Sequence, residues 1–359
     1  MAIVVEQPDG DAAFSEFVQL YDRVYERRPV RWGAMAAMEL PLLKGDSPFS
    51  EGRTLRPLVA RQNGEVVARV LAAVDQRHLD RWGDGVGHVV NFEAMPDARE
   101  ATRLLMDEAC TWLAGQGMRV ARAGFGLGEF PFAIDEYDSL PPNLVRQNPA
   151  YYHAFLKDAG FESEKGWVDY KVRVTPELVE RWEGALEAAR VAGFDIVPLS
   201  DVPDERLVGD FVSTWNEAFH DHWGASPFTE AEFALLVDLL GPMGMLELSV
   251  LAYRDGEPVG VVWVNPDMTA MALGRLVRDE ERLNTLGIGV LKQARGRGVN
   301  MAMAAYAYLE LVRRGQTYLS YTLVLDDNWP SRRTAERLGA YVCANYMVYR
   351  RVLGGRGQR

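Results

Sequence analysis

Leu286-Gly287-Ile288-Gly289-Val290-Leu291-Lys292-Gln293-Ala294-Arg295-Gly296-Arg297-Gly298-Val299-Asn300 is the stretch on which the reading of this chain turns. It reads as an apolar strand running into a glycine-rich basic turn, after which Met301 to Arg314 continues as a long helix. That order builds an anion site. Glycines let backbone amides approach a phosphate, unpaired N–H groups at a helix start point at it, and the helix dipole favours its negative charge. Arg295 and Arg297 add charge-assisted contacts. A lone Gly-Arg-Gly is as readily a solvated turn before a good helix start; the strand before it and the long helix after it favour the phosphate.

Around this stretch lie 359 residues, a length that predicts two domains. Hydrophobic residues make up 48% and charged residues 25%, so each half can bury a core without staples. The net charge of -12 argues against nucleic acid as a partner, so any anion site must be local. The same acidity would attract a cationic amine. No apolar run is long enough to cross a bilayer, and Met1 to Glu6 lacks the basic start and apolar run of a signal peptide, so a cytoplasmic protein is expected, with no membrane partner. Cys110 and Cys343 have no second thiol or histidine at ligand spacing, so neither a disulfide framework nor a metal site is expected.

A long-period repeat emerges when turn signals serve as landmarks. Pro57 to Ala68 reads as a hairpin about Asn63-Gly64, and Ser249 to Gly260 repeats it about Asp255-Gly256. Helices closed by Gly117 and Gly315 each lead into a β-rich run. Asn148 to Gly160 and Asn328 to Gly339 each frame a short helix. One α+β unit is therefore used twice: residues 1–173, then a capped helix within 174–193, then 194–359. Each unit reads as a mixed twisted sheet flanked by helices.

The basic turn resembles the R/Q-x-x-G-x-G/A loop of GNAT acetyltransferases, with Arg295 and Gly298 in the first and fourth positions and Asn300 in the sixth, where the family has Gly or Ala. Asn suits a helix cap or a left-handed turn. Downstream, Val324 to Asn328 and then Arg337-Leu338-Gly339-Ala340 are similar to the family's strand ending in Asn and its short helix closing on Leu-Gly-Phe. The resemblance covers roughly Phe194 to Leu353. It implies an acyl-coenzyme A site, acetyl-coenzyme A being the first expectation, made by Ile288, Val290, Leu291, Arg295, Gly296, Arg297, Gly298, Val299, Asn300 and Asn328. In the first repeat the equivalent turn is Pro96-Asp97-Ala98-Arg99-Glu100, with no glycine and two carboxylates that would repel a pyrophosphate. The chain thus resembles a tandem GNAT protein whose first half has lost its cofactor loop.

The chemistry implied is acyl transfer from a thioester to a small-molecule amine, directly within a ternary complex. The amine must lose a proton, the oxyanion must be stabilised, and the thiolate must be protonated. The family takes its oxyanion contact largely from the backbone of the strand entering the loop, here near Val290 and Leu291. Its usual acid, a Tyr four residues before the closing Gly, is Ala335 here. Tyr321 or Tyr346 would have to replace it, each equally readable as a core aromatic. Asp326 and Asp327 stand at the strand end where the two central strands should splay, as base candidates or as a solvated helix cap. In Trp215 to Gly224, Glu217 and Asp221 are spaced to share a helix face and receive an ammonium group, while His220 and His222, two apart, do not make a metal pair. Gly124-Phe125-Gly126-Leu127-Gly128 lacks a dinucleotide fingerprint's spacing and leads into Glu129-Phe130-Pro131 rather than a helix. Two further readings stay open: a non-catalytic acyl-coenzyme A sensor or scaffold, and a Fem-like transferase using aminoacyl-tRNA, which would need a basic tract that neither repeat has.

Overall fold

Asn63 and Asp255 each take the left-handed backbone at φ 54, followed by Gly64 at φ 87 and Gly256 at φ 82. Both expected hairpin turns therefore bend with the twist of their strands. The structure is a computed structural model describing residues 2–28, 31–142, 145, 147–265 and 285–354. The chain divides into two compact units, the first made of Met1–Asp138, Arg146–Gly166 and Tyr346–Arg359, the second of Ser139–Val145 and Trp167–Asn345.

In the first unit the elements run β1 (Ile3–Glu6), α1 (Gly10–Tyr25), α2 (Ala36–Lys44), β2 (Arg53–Gln62), β3 (Glu65–Asp75), α3 (Gln76–Trp82), β4 (Val86–Ala94), α4 (Arg99–Gly115), β5 (Val120–Ala123), β6 (Phe132–Ala133) and α5 (Tyr152–Asp158), then the start of β7 (Glu162–Arg173). The sheet runs antiparallel from β1 to β4. β4 and β5 are parallel from Val86↔Val120 to Val89↔Ala123, and the chain's last strand adds antiparallel to β5 at Tyr349↔Ala123. Helix α4 buries Ala101, Leu105, Ala109 and Leu113 along one stripe, the spacing that lays a helix on a sheet. Phe92, Phe132 and Tyr152 join that stripe in one core.

The second unit holds the rest of β7, then α6 (Pro176–Val191), β8 (Asp195–Pro198), α7 (Asp204–Ala218), α8 (Glu230–Leu240), α9 (Met245–Leu248), β9 (Val250–Arg254), β10 (Glu257–Val264), β11 (Thr285–Val290), α10 (Val299–Arg313), β12 (Tyr318–Leu325) and α11 (Trp329–Arg337), and the start of β13 (Ala340–Val352). Strands β8 to β11 form a four-stranded sheet in the order β11-β10-β9-β8, while β12 pairs antiparallel with β7, Tyr321 opposite Tyr170. Helix α10 buries Ala302, Met303, Ala304, Ala305, Ala307 and Tyr308, a nearly all-round apolar surface. Such a helix is stable only when wrapped, and β9, β10, β11 and α6 wrap it. Thr175 caps α6 through the Leu178 amide, and Trp182 meets Tyr308 at 5.2 Å. The helix expected between the repeats is thus part of the second unit's core.

Candidate functional site

Strands β11 and β12 lie next to each other yet share no ladder among the described residues, since each belongs to a different set of paired strands. This is the expected splay, and it leaves a strand edge of β11 open. Strand β11 also carries a bulge in its ladder with β10: Val264 is opposite Thr285 while Trp263 is opposite Gly287, so Leu286 is one residue too many. A bulge takes a backbone group out of the ladder. One face of β11 is pressed on the end of α7. A Cβ on Gly287 would lie 2.9 Å from Phe219 and Trp215 ring atoms, and one on Gly289 would lie 2.6 Å from the Ala218 Cβ. On the other face Ile288 and Val290 pack against the core beside α10. Their side chains are therefore committed to packing, and only their backbone faces the opening. The Leu291 amide donates to Val259 O at 2.9 Å, so this N–H, expected near the oxyanion, is occupied by the ladder.

After a single turn at Lys292–Ala294 the chain enters the glycine-rich stretch. Arg295 is exposed and its Nε donates to Val290 O at 2.9 Å, which holds the guanidinium against the strand end. Gly296 and Gly298 stand at φ 77 and 82, and nothing lies near where a Cβ would be on either. Gly298 is the cap of α10; Asn300, expected as cap or left-handed residue, instead sits in the first turn. There its Nδ2 donates to Thr334 Oγ1 of α11 at 3.2 Å. The first bond inside the helix runs from Ala302 N to Gly298 O at 3.1 Å, so the amides of Val299, Asn300 and Met301 precede it and point out of the helix start. With Lys292, Arg295 and Arg297 exposed around them, the arrangement suits an anion.

Across the splay, Asn328 caps α11, its Oδ1 accepting from the Ser331 amide at 3.3 Å. Asp326 and Asp327 follow β12 in an exposed turn, where Asp326 O accepts from Arg332 Nη1 at 2.8 Å and Asp327 O from the Trp329 amide at 3.0 Å. Tyr321 is buried among the core residues, its hydroxyl 2.9 Å from Ser331 Oγ, and burial pushes that hydroxyl up to about 12. Tyr346 lies in the first unit. Glu217 is exposed near the end of α7, and the expected shared face with Asp221 does not form: α7 stops at Ala218, Phe219 is its cap, and Asp221 lies in the following turn, 2.9 Å from His220 Nδ1. That turn is held by Asn216, whose side chain exchanges two 2.9 Å hydrogen bonds with the Phe228 backbone. His222 packs between Phe219 and Trp167, and burial pushes it down to about 4.

The first unit carries a bulge at the matching place. Arg69 is opposite Glu93 while Leu71 is opposite Val90, which leaves β4 with the extra residue, and Asn91 sits there at φ 53. Here the edge is closed by the chain itself. The Asn91 amide donates to Glu129 Oε2 at 2.9 Å, the Ala94 amide to the Tyr152 hydroxyl at 2.9 Å, and Ala94 O accepts from the Tyr151 hydroxyl at 2.7 Å. The Gly124 to Gly128 stretch holds this seal: Gly124, Gly126, Leu127 and Gly128 all have positive φ, Phe125 O is 2.9 Å from His88 Nδ1, and a Cβ on Gly126 would lie 2.3 Å from that ring nitrogen. Its helix start has Ala98 as cap rather than a left-handed glycine. Glu129, Tyr151, Tyr152, Ser331 and Thr334 were not singled out from sequence, because each acts through a partner distant along the chain.

Residues 209–340 match the Acetyltransferase (GNAT) family. A protein called bacterial ceramide synthase from Caulobacter vibrioides is 23% identical over 95% of this chain and 95% of its own. Protein YghO from Escherichia coli K12 is 24% identical over 86% of this chain and 84% of its own. Among solved structures, a tandem GNAT protein from the clavulanic acid biosynthesis pathway has a TM-score of 0.59 at 14% identity, covering 98% of both chains. A GCN5-related N-acetyltransferase from Sphaerobacter thermophilus has a TM-score of 0.55 at 15% identity, covering 98% of this chain and 96% of its own. With its splayed strands and its glycine-capped helix, the chain has the fold of a tandem GNAT protein, and residues 209–340 within it are similar to the Acetyltransferase (GNAT) family.

Proposed function

We propose that the protein transfers an acyl group from acyl-coenzyme A, acetyl-coenzyme A first, to the amino group of a small molecule, by direct attack in a ternary complex. The observation that carries this reading is the open β11 edge leading into a left-handed Gly298, three outward amides and exposed arginines. Arg295, Gly296, Arg297, Gly298, Val299 and Asn300 hold the pyrophosphate. The pantetheine arm lies along the backbone of Ile288 and Val290 toward the bulge at Leu286, with Asn328 on the facing side. The amide freed by that bulge, rather than that of Leu291, meets the thioester oxygen. Asp326, Asp327 and Glu217 are the carboxylates offered to the amine, all at exposed positions. Along the sequence the repeats are 1–173 and 194–359 with 174–193 bridging them, and the donor belongs to the second. No described helix is long and apolar enough to cross a membrane, and we place the enzyme in the cytoplasm.

The Caulobacter relative's name favours a second version of the same chemistry, since a ceramide is a long-chain base acylated on nitrogen. In it, donor and acceptor are both lipid-like. Incubation with acetyl- or palmitoyl-coenzyme A and a panel of amines that includes a long-chain amino alcohol separates the two, read by released thiol and by the amide's mass. Amide formed with short donors and polar amines supports the first version, and with long ones the second. If no donor is consumed with any amine, the enzyme reading fails and a sensor takes its place.

A further inference from the structure

Trp329-Pro330-Ser331-Arg332-Arg333-Thr334-Ala335-Glu336-Arg337 sets three arginines against one carboxylate in a chain whose net charge is -12. Folded as α11, it turns Ala335 inward, and Leu338 is buried just past its end. Trp329, Arg333 and Arg337 are spaced by four, so they stack on the opposite side of the helix, and all three are exposed. We propose that this face docks the protein on an anionic phospholipid surface, with the Trp329 ring in the headgroup layer and the arginines against the lipid phosphates. The purpose it serves rests on the long-chain version of the reading above.

Three features separate this face from an ordinary solvated helix. Trp329 is 56% exposed and Tyr341, near the start of β13, is 50% exposed; no other tryptophan, tyrosine or phenylalanine among the described residues is as open. Open aromatic rings beside arginines suit a bilayer interface, where an amphipathic side chain keeps its apolar body among headgroups and its charge in water. The charge of the arginines is also left whole. Among the described residues none of Arg332, Arg333 and Arg337 pairs with a carboxylate: Arg332 gives Nε to the Tyr170 hydroxyl at 2.9 Å and Nη1 to Asp326 O at 2.8 Å. Its guanidinium carbon lies 4.6 Å from the centre of the Trp329 ring, a cation–π contact that holds ring and cation together. Exposed Arg181 of α6 adds a fourth cation, its Nη1 donating to Arg337 O at 3.0 Å. The neighbouring carboxylates are Glu336 on the helix and Asp326 and Asp327 in the turn before it. An anionic surface repels a chain of this net charge everywhere except at a local basic face, so the arginines set the direction of approach. The third feature is position: α11 starts directly after Asp326 and Asp327, the carboxylates offered to the amine. Docking through it brings the lipid surface to the acceptor side, where a long-chain amine passes from bilayer to enzyme with its chain kept out of water. Such docking is peripheral and needs no spanning segment.

The test is co-sedimentation of the full chain with vesicles of phosphatidylcholine, with and without phosphatidylglycerol, at low and high salt. Wild type binds the vesicles that carry phosphatidylglycerol and not the neutral ones, and salt weakens the binding. Arg333→Glu with Arg337→Glu lowers the partition coefficient at least about 30-fold, since each basic residue near an anionic surface is worth about 1 kcal/mol. Trp329→Ala lowers it about 10-fold through the lost apolar ring. Arg190→Glu with Arg313→Glu makes the same change in net charge at exposed sites toward the far ends of α6 and α10, and leaves binding as it was. Melting point and acetyl-coenzyme A affinity, measured on the same preparations, stay at the wild-type values in all of them. No binding of wild type to anionic vesicles at low salt, or an equal loss in the two double variants, would overturn the docking face. Vesicle binding lost with acetyl-coenzyme A still bound strikes this proposal alone; vesicles bound without any affinity for acetyl-coenzyme A strikes the donor reading alone.

Discussion

His88 is almost fully buried in the first unit, and burial, then the neighbouring His78 and Arg122, push it down to about 3 from 6.5. Its Nδ1 is 2.9 Å from Phe125 O, the geometry of a neutral ring donating to a carbonyl. Because the folded pKa is depressed, the unfolded chain binds the extra proton first. Stability is complete above about pH 6.5 and falls as pH drops toward 3, by up to about 1.4 kcal/mol per pH unit. His222, pushed down to about 4 by burial, adds in the same direction over a narrower window. Urea unfolding at pH 7.5, 6 and 5 should therefore give midpoints that fall below pH 6.5, and His88→Gln should flatten that slope. A midpoint independent of pH across that range would mean His88 is not neutral in the fold. None of this was legible in the sequence, where His88 is only one residue of an apolar strand. Gly126, which must lack a Cβ to lie on that ring, looked like part of a nucleotide motif that fails.

Helix α7 packs end-on against the glycines of β11, and this contact sets where the open edge lies. Gly289→Ala would place a methyl 2.6 Å from the Ala218 Cβ. Overpacking of that kind costs about 1 to 3 kcal/mol, or a melting point lower by about 2 to 4 °C per kcal/mol for a unit of this size. The loss should be relieved by adding Ala218→Gly; an unchanged melting point in the single variant would mean that α7 and β11 are not in contact there. At this scale the sequence was readable wherever a local rule decides. Asn-Gly and Asp-Gly force hairpins and Thr175-Pro176 starts a helix, while the long helix expected from Met301 starts two residues earlier, at Val299 behind Gly298. It was unreadable wherever pairing is chosen at a distance: the bulge at Leu286 depends on which β10 residue lies opposite, and the early stop of α7 at Ala218 depends on Asn216 holding Phe228. The turn after that stop removes the expected Glu217 and Asp221 face.

Across the whole chain, both halves hold a hairpin, a bulged strand, a long helix and a short helix, side-chain capped only in the second, but they treat the bulged strand in opposite ways. The second leaves it open before a glycine-capped helix. The first fills it with Glu129, Tyr151 and Tyr152 and starts its helix at Ala98 beside two carboxylates. The absence of glycine at Pro96 to Glu100 was visible in the sequence, whereas the seal was not, nor was the assignment of Tyr346–Arg359 to the first unit. Glu129→Ala would leave the Asn91 amide without its carboxylate and cost about 1 to 3 kcal/mol, yet it supplies no phosphate loop and should not create a second donor site. Isothermal titration with acetyl-coenzyme A tests the central claim most directly, run on wild type, Glu129→Ala and Arg297→Glu. One molecule per chain in the first two and lost binding in the third is the result expected. Two molecules per chain in wild type, or undiminished affinity in Arg297→Glu, would contradict a single donor site at the Gly298 loop.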